Sequence, residues 1–404
     1  MPLISARRTP QRGSDVSWGS DTMAHWITEE HIMIRDAVRR FAEKEVALVS
    51  QRLWEEEAFP YNIWTRAGEF GFTGLPYPEA YGGGGGSWLS FVIVLEELAR
   101  IDCAIANSLM ANSSVASLLS SYGTELQKHT YLRPILDGSK IGSIGLTEPQ
   151  AGSDAANIAT KAVQDGNDWI ITGSKTFISN SGTEVSGPVI IAAVSGTKPD
   201  GRKEISNFIV PTGTPGFTTG RKLSKIGWRA SSTCMLHFDG CKIPAGNLLG
   251  IRGHGLRQTL TQISTGRILI GALGLGILQG SLDRSLAYMK ERTAFGKALA
   301  EFQVLQFKLA DMATHAHAAR LMLYDAAAAK DAGQRFDQQA SMAKLFTTER
   351  AMEAAHQAIQ IHGGYGVSSE YAVARAFGDA KVLEIVEGTS EIQRMIISRE
   401  LLAH

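Results

Sequence analysis

Between residues 25 and 140 apolar positions recur every three or four residues. In EEHIMIRDAVRRFAEKEVALV, Ile32, Ile34, Val38, Phe41 and Val46 fall at near-helical spacing, and WLSFVIVLEELARI repeats the pattern; both predict amphipathic helices. Between them, PEAYGGGGGSW carries five glycines in a row, which no regular element holds, so a surface loop is expected. Over residues 141–250 the pattern changes. TKAVQDGNDWIITG reads as two short strands around Asp165-Gly166, and GPVIIAAVS, SNFIVPT and TCMLHFDG are β-rich runs ended by Gly, Pro or Asp. They predict a small antiparallel, barrel-like sheet domain. Over residues 251–404 long helical periodicity returns in FQVLQFKLADMATHAHAARLMLYDAAAA and SMAKLFTTERAMEAAHQAIQIHG. Long periodic helices with short joints predict an antiparallel bundle. The expected fold is α+β and multidomain: a flexible leader over residues 1–24, a helical domain over 25–140, a β domain over 141–250 and a helical bundle over 251–404.

The longest apolar run, ILIGALGLGIL at 268–278, falls short of the ~20 residues of a membrane span. Ala272, Gly276 and Gly280 repeat every fourth residue and line one helix face, as a closely packed core helix requires. MPLISARRTPQRGSDVSWGS, at the start, lacks periodicity and carries Arg7, Arg8 and Arg12 against Asp15. It reads as a flexible segment, with a mitochondrial presequence as the second reading. The expected location is therefore a bacterial cytoplasm, with the mitochondrial matrix as the alternative.

Forty basic residues balance forty acidic ones, so no global field draws the protein to nucleic acid or an anionic membrane. Cys103, Cys234 and Cys241 are odd in number and form no CxxC pair, which argues against a disulfide framework or a zinc knuckle. His315 and His317 are two apart and do not share a helix face, so no metal site is expected. No glycine-rich dinucleotide fingerprint is present: Gly271-x-x-Gly-x-Gly lies inside an apolar helix, and the glycines of IHGGYG follow a helix rather than a strand.

KVLEIVEGTSEIQRMI, residues 381–396, reads as helix, break, helix. Ser390-x-x-Gln393 fits a capping box, which places a helix start at Ser390. Gly388 permits a bend. Glu387 is thus held on a joint just ahead of a helix start, where free amides can face a ligand. Flanked by Ile385 and Val386, its carboxylate is either a partly desolvated base or a capping or salt-bridged glutamate.

The wider pattern resembles the acyl-CoA dehydrogenase family from about residue 25 to the end. GLTEPQAGSDAANIAT, ERTAFGKALAEFQVLQFKLADMA and QIHGGYGVSSEYAVARAFGDAKVLEIVEGTSEIQR look like the family's signatures, in order. The resemblance implies a helical domain, a middle β domain and a C-terminal four-helix bundle. It implies non-covalent FAD and removal of two hydrogens across Cα–Cβ of an acyl-CoA thioester. It assigns Glu387 as the base for the α-proton, with the β-hydrogen leaving as hydride to flavin N5. In relatives that carry the base elsewhere it precedes an arginine on another helix. That position here is Gly266, before Arg267, and glycine takes no proton.

By the same resemblance Leu146, Thr147 and Ser153 meet the isoalloxazine, as do Phe177, Ile178 and Ser179, where Phe and Ser replace the family's Trp and Thr. Gln150 stands where many relatives have Gly. Arg292, Phe295 and Gln303, with Gln360, Ile361, His362, Gly363 and Gly364, match segments that reach the FAD of a neighbouring subunit. Thr389, Ser390 and Glu391 match flavin contacts after the base. Substrate contacts are expected from Ser153, Ser264, Thr265, Arg267 and Gly388; the other reading of Arg267 is a surface cation at a helix start. A shared site implies a homo-oligomer, a tetramer before a dimer, and electrons are expected to leave to an electron-transferring flavoprotein.

Glutaryl-type relatives carry an arginine where this chain has Ala106, so dicarboxylyl substrates are not expected. Ala104, Ala106, Ser108, Ala111 and Ser113 either leave room for an acyl chain or are close-packing positions. The rival reading is a flavin-dependent oxidase or monooxygenase on the same fold; such relatives usually lose the Glu-Gly-Thr motif, which is present here.

Overall fold

The computed structural model describes residues 27–403. The leader expected over residues 1–24 lies outside the described residues.

The N-terminal part consists of α1 (Glu29–Phe41), α2 (Ala47–Glu55), α3 (Tyr61–Glu69), α4 (Trp88–Ala99), α5 (Cys103–Tyr122) and the short turns α6 (Glu125–Gln127) and α7 (Arg133–Leu136). Thr28 caps α1 by accepting from the His31 N–H, and the His31 ring takes up the Thr28 N–H at 3.1 Å, so two orphan donors are satisfied at once. The pentaglycine stretch is ordered by backbone bonds from Gly84, Gly85 and Gly86 to the carbonyls of Gly74, Tyr77 and Leu75.

Helix α4 is buried almost all round, yet it carries Glu96 and Glu97. An unpaired buried acid is strongly destabilising, and each has found cations in a different direction. Glu96 accepts from Arg320 Nη2 at 2.6 Å and from the Tyr324 hydroxyl at 2.7 Å. Glu97 accepts from Arg39 Nη2 at 2.8 Å. Arg39 lies on α1 and Arg320 in the C-terminal part, so α4 is tied on both sides.

The middle part holds β1 (Ile141–Gly145), β2 (Lys161–Asp165), β3 (Asp168–Ser179), β4 (Ser186–Thr197), β5 (Lys203–Val210), β6 (Phe217–Lys222), β7 (Thr233–Pro244) and β8 (Leu248–Leu249). The expected hairpin is there: β2 and β3 pair antiparallel from Asp165 opposite Asp168. The barrel-like form is not confirmed, and the sheet is mixed rather than wholly antiparallel. The strands run in the open order β6-β7-β3-β2-β4-β5-β8, with β1 added beside β4. The β1–β4 and β2–β4 contacts are parallel. The reason is that β1 enters from the helical domain, so no hairpin turn forces it antiparallel.

The C-terminal part is α8 (Gly255–Glu291), α9 (Gln303–Asp331), α10 (Asp337–His362), α11 (Ala372–Leu383) and α12 (Ser390–Leu402), with a small hairpin, β9 (Thr293–Ala294) and β10 (Lys297–Ala298), between α8 and α9. Helix α8 is its axis. At 37 residues it is long and apolar enough to cross a membrane, but 89% of its most apolar window lies inside the protein, so it is a core helix. The row of small residues is what admits α4: a Cβ at Gly276 would stand 2.5 Å from the Glu96 carbonyl oxygen and 2.6 Å from the Ala99 Cβ. Gly276→Ala is expected to cost about 1–3 kcal/mol in thermal or denaturant unfolding; an unchanged midpoint would contradict this packing.

The three parts meet at Trp228. Its backbone N–H donates to Asp379 Oδ1 on α11 at 2.6 Å and its indole N–H to Cys103 Sγ on α5 at 3.2 Å. Burial and the nearby Asp102 push the Asp379 carboxyl up to about 7. Cys103, Cys234 and Cys241 are buried free thiols.

Candidate active site

Helix α11 ends at Leu383, and the chain turns through residues 384–389 before α12. Ser390 N–H donates back to the Glu384 carbonyl at 3.0 Å. Thr389, not Ser390, caps α12, its hydroxyl accepting the Ile392 N–H at 3.4 Å. The capping box expected at Ser390-x-x-Gln393 does not form. The Gln393 amide instead donates to the carbonyls of Glu387 (3.1 Å) and Gly388 (2.8 Å). Both carbonyls of the joint are therefore drawn inward, and Glu387 is left in a left-handed conformation, φ +53°.

The surroundings of the Glu387 side chain come from α8 and α10. A Cβ at Gly266 would lie 2.7 Å from Glu387 Oε2, so the absence of a side chain at 266 is what makes room for the carboxylate. The two positions at which the family resemblance places a base thus converge on one point in space, and only one can be filled. Arg267, the next residue, is buried in mid-helix rather than at a helix start, which removes the surface-cation reading. It donates to Ser264 Oγ at 3.3 Å, and Ser264 donates to Asp337 Oδ1 at 2.6 Å. Arg267 Nε is buried without a partner. Thr265 is buried beside it. From α10, the fully buried Lys344 donates to the Gly388 carbonyl at 3.0 Å.

Glu387 keeps some exposed surface as a residue, but its Oε2 is shut off from solvent and accepts no hydrogen bond. The desolvation owes little to Ile385, which is 56% exposed; it comes from the packing of α8 and α10. Burial pushes the Glu387 carboxyl up to about 7, against the pull of Arg267 and Lys344. Burial likewise brings the Lys344 ammonium down to about 8, opposed by Glu387 and Glu384, and lowers Arg267. A carboxylate that titrates near neutrality in a dry pocket is poised as a general base.

A second group of expected residues gathers on the sheet. The Thr176 N–H donates to the Thr147 carbonyl at 3.0 Å. Lys175 Nζ donates to the Leu146 carbonyl at 3.1 Å and to Glu148 Oε1 at 2.7 Å. Glu148 also accepts from Thr160 N–H at 3.0 Å. Burial pushes the Glu148 carboxyl up, but Lys175, Thr160 and Ala159 outweigh it and carry it down to about 2. The ion pair is thus charged, and it ties the loop of Leu146, Thr147 and Ser153 to β3. Phe177 is 67% exposed, with its ring free, and Ser153 is exposed. Ile178 turns its side chain into the sheet core beside Cys234, so only its backbone is available to a ligand. Ser179 is half-buried.

A third group lies on the C-terminal helices, lining a cleft of about 410 Å³ between Tyr288, Arg292, Leu299 and residues 361–365. His362 stacks on Tyr288 at 4.2 Å and its Nδ1 lies 2.7 Å from the Ala358 carbonyl oxygen. Ile361 is buried. These two side chains are therefore structural, and the cleft offers the Arg292 guanidinium and the backbone of Gly363 and Gly364. Gln303 and Gln360 are exposed nearby in sequence. Phe295, in the β9–β10 turn, is 96% exposed. Among the described residues no hydrogen bond or ion pair joins the three groups.

The residues present fit a flavin dinucleotide. An exposed aromatic face and adjacent backbone groups suit an isoalloxazine, and an arginine over glycine backbone suits a pyrophosphate. Among the described residues six non-glycine residues hold positive φ: Glu57, Phe177, Asn180, Trp228, Phe295 and Glu387. Three of them, one from each group, are residues the sequence had marked. Such strain costs of order 1–3 kcal/mol and clusters at functional sites.

Lys344, Lys175 and Gln393 were not foreseen in these roles. For Lys344 a signal exists. It occupies the inward row with Ala340, Thr347, Thr348 and Ala351, all buried, so the helical period alone places a lysine in the core. Ala104, Ala106, Ser108 and Ser113 are buried in α5, which packs against α8 and β1, while Ala111 is half-buried.

Comparison with known proteins agrees along the chain. Family profiles described as acyl-CoA dehydrogenase N-terminal, middle and C-terminal domains match residues 28–139, 143–241 and 253–402. The chain is 45% identical over 377 residues to probable acyl-CoA dehydrogenase YngJ of Bacillus subtilis, covering 93% of this chain and 99% of that one. Among solved structures, butyryl-CoA dehydrogenase from Megasphaera elsdenii superposes with TM-score 0.90 at 38% identity, over 94% of this chain and all of that one. A chain of the structure described as electron transferring flavoprotein of Acidaminococcus fermentans superposes with TM-score 0.91 at 39% identity, over 95% of this chain and all of that one.

Proposed function

This chain belongs to the acyl-CoA dehydrogenase family and is an FAD-dependent oxidoreductase acting on CH–CH donors, and on that premise we propose that Glu387 is the base that takes the α-proton of a bound acyl-CoA thioester. The observation that carries this is the seat of the Glu387 carboxylate: Oε2 is shut off from solvent without a hydrogen-bond donor, in the space that Gly266 leaves, and burial there pushes the carboxyl up to about 7. When bound, FAD supplies the acceptor for the β-hydrogen, which leaves as hydride to N5.

The α-proton of a thioester is weakly acidic, so the base works only where water is excluded and the developing enolate oxygen meets fixed donors. The Glu387 N–H donates to no other group among the described residues and is the donor assigned to that oxygen. Inward capture of the Glu387 and Gly388 carbonyls by Gln393 and Lys344 holds this peptide in place. Ser264, Thr265 and Arg267 stand beside the base as substrate contacts, with Ser153 from the sheet loop. Leu146, Thr147, Ile178 by its backbone, Phe177 and Ser179 form the isoalloxazine face, with Thr389, Ser390 and Glu391 after the base.

Arg292, Phe295, Gln303, Gln360, Gly363 and Gly364 serve the FAD of a second copy. A 96% exposed phenylalanine in a strained turn supports a homo-oligomer, taken as a tetramer. The Acidaminococcus structure supports an electron-transferring flavoprotein as the electron acceptor, and the Bacillus relative supports a bacterial cytoplasm as the location.

The Megasphaera enzyme supports a short straight acyl chain as substrate. Anaerobic titration of the purified yellow protein with straight, branched and aromatic acyl-CoAs tests both levels of the reading. Bleaching of the flavin, fastest with a four-carbon chain and slowly reversed by air, is the expected result. A protein that takes up no FAD, or that no thioester bleaches, would overturn the dehydrogenase reading; fastest bleaching by a branched or aromatic chain would overturn only the substrate.

A further inference from the structure

We propose that Lys344 is a positioning residue for the reaction: together with Arg267, its ammonium supplies positive charge that favours the ionised form of the Glu387 base, while its hydrogen bond holds the Gly388 carbonyl. This rests on Glu387 being the base.

Lys344 is fully buried on α10, and among the described residues its Nζ makes no ion pair; it donates to a backbone carbonyl, Gly388 O, at 3.0 Å. Burying an ammonium without a contacting carboxylate is costly. A neutral amide would serve the carbonyl equally, and one already does: Gln393 Nε2 reaches the same oxygen at 2.8 Å. As a tether the lysine is one of two donors on this oxygen. What it adds is charge.

The charged groups that face Lys344 are Glu387 and Glu384 from the joint, Arg267 from α8 and Glu349 from its own helix. Glu384 is held by Lys381 at 2.6 Å, and Glu349 by Arg394 at 2.7 Å. Arg267, the other cation facing Glu387, is also turned toward Asp337 through Ser264. Glu387 is the facing carboxylate with an oxygen that no donor satisfies. The field of Lys344 therefore falls chiefly on the base. It acts through space, so it stabilises the carboxylate while leaving Oε2 free to take a proton.

Removing this charge raises the proton affinity of Glu387. At an effective dielectric of about 20, a unit charge within about 10 Å shifts a pKa by roughly 1 unit or more. The acid limb of the rate therefore moves to higher pH. At neutral pH the rate falls about tenfold or more, and it recovers at alkaline pH.

The experiment is anaerobic stopped-flow reduction of the FAD-loaded enzyme by butyryl-CoA between pH 5.5 and 10, giving kcat/KM for reduction in wild type, Lys344→Gln, Lys344→Arg and Glu387→Gln. Lys344→Gln keeps a donor and is expected to shift the acid limb upward by about 1–2 units; Lys344→Arg keeps the charge and is expected to hold the wild-type midpoint. A rate lowered equally at all pH values in Lys344→Gln, with the midpoint unmoved, would mean a tether only and overturn the proposal. So would a midpoint that moves in Lys344→Arg as far as in Lys344→Gln. If Lys344→Gln does not fold, the Lys344→Arg midpoint alone decides: retained, it supports the charge, and displaced, it overturns it. Near-normal reduction in Glu387→Gln would instead sink the assignment of the base, whatever Lys344 does.

Discussion

Glu387→Gln is expected to slow reduction of the flavin by acyl-CoA by roughly 10²–10⁴-fold, the range a positioned general base supplies, while FAD and thioester stay bound. Glutamine keeps the shape that fits against Gly266 and removes only the proton acceptor. The backbone captures by Gln393 and Lys344 involve main-chain carbonyls, so the joint survives the change. The wild-type rate carries a pH signature with a definite sign. Only the carboxylate accepts a proton, and burial holds its pKa near 7, so the reduction rate rises as pH passes upward through that value and flattens above it. The variant loses both the rate and this limb. Stopped-flow bleaching under argon measures both, and the visible spectrum with a thioester titration confirms that the ligands remain. Reduction within tenfold of wild type would place the base on another residue.

The second large effect is expected away from the base. Lys175→Met leaves Glu148 buried with its ammonium partner gone. The two side chains are 0% and 2% exposed, and breaking such a pair from one side costs about 3–5 kcal/mol. Backbone donors from Ala159 and Thr160 still reach Glu148, so the domain is expected to fold with a lowered melting temperature. The functional cost is more specific. Lys175 also holds the Leu146 carbonyl, so the loop carrying Leu146, Thr147 and Ser153 loses its anchor to β3. Weakened FAD retention on gel filtration and a faster loss of flavin on dilution are the expected readouts. A variant that melts like wild type and keeps its flavin would show the pair to be incidental.

Much of the site was legible before any coordinates. Glu387 stood out because an acid between an apolar pair and a glycine is hard to explain locally. Phe177, Phe295 and the glycines of the IHGG segment came from motif resemblance, and the backbone strain at Phe177 and Phe295 is independent support for them. The local physics behind some expectations differs from what the structure shows. Gln393 looked like a capping residue by its spacing from Ser390, yet it reaches the carbonyls of Glu387 and Gly388, because Thr389 already caps the helix. Arg267 looked like a possible surface cation, because the sequence does not reveal that α8 runs on unbroken and buried through it. The β-rich region forms a mixed sheet rather than a wholly antiparallel one, since strand polarity depends on how β1 enters and not on its own residues.

The linear pattern determined the order of helical, sheet and helical parts, the family and the identity of the candidate base, because periodicity, turn chemistry and motif order are properties of neighbours along the chain. Tertiary structure alone decided what that base is chemically. Its burial comes from the packing of α8 and α10, where the missing side chain at Gly266 leaves it room, and its charge balance from Arg267 and Lys344 on those helices. Desolvation and Coulomb energy depend on distance through space, and no spacing along the chain encodes them.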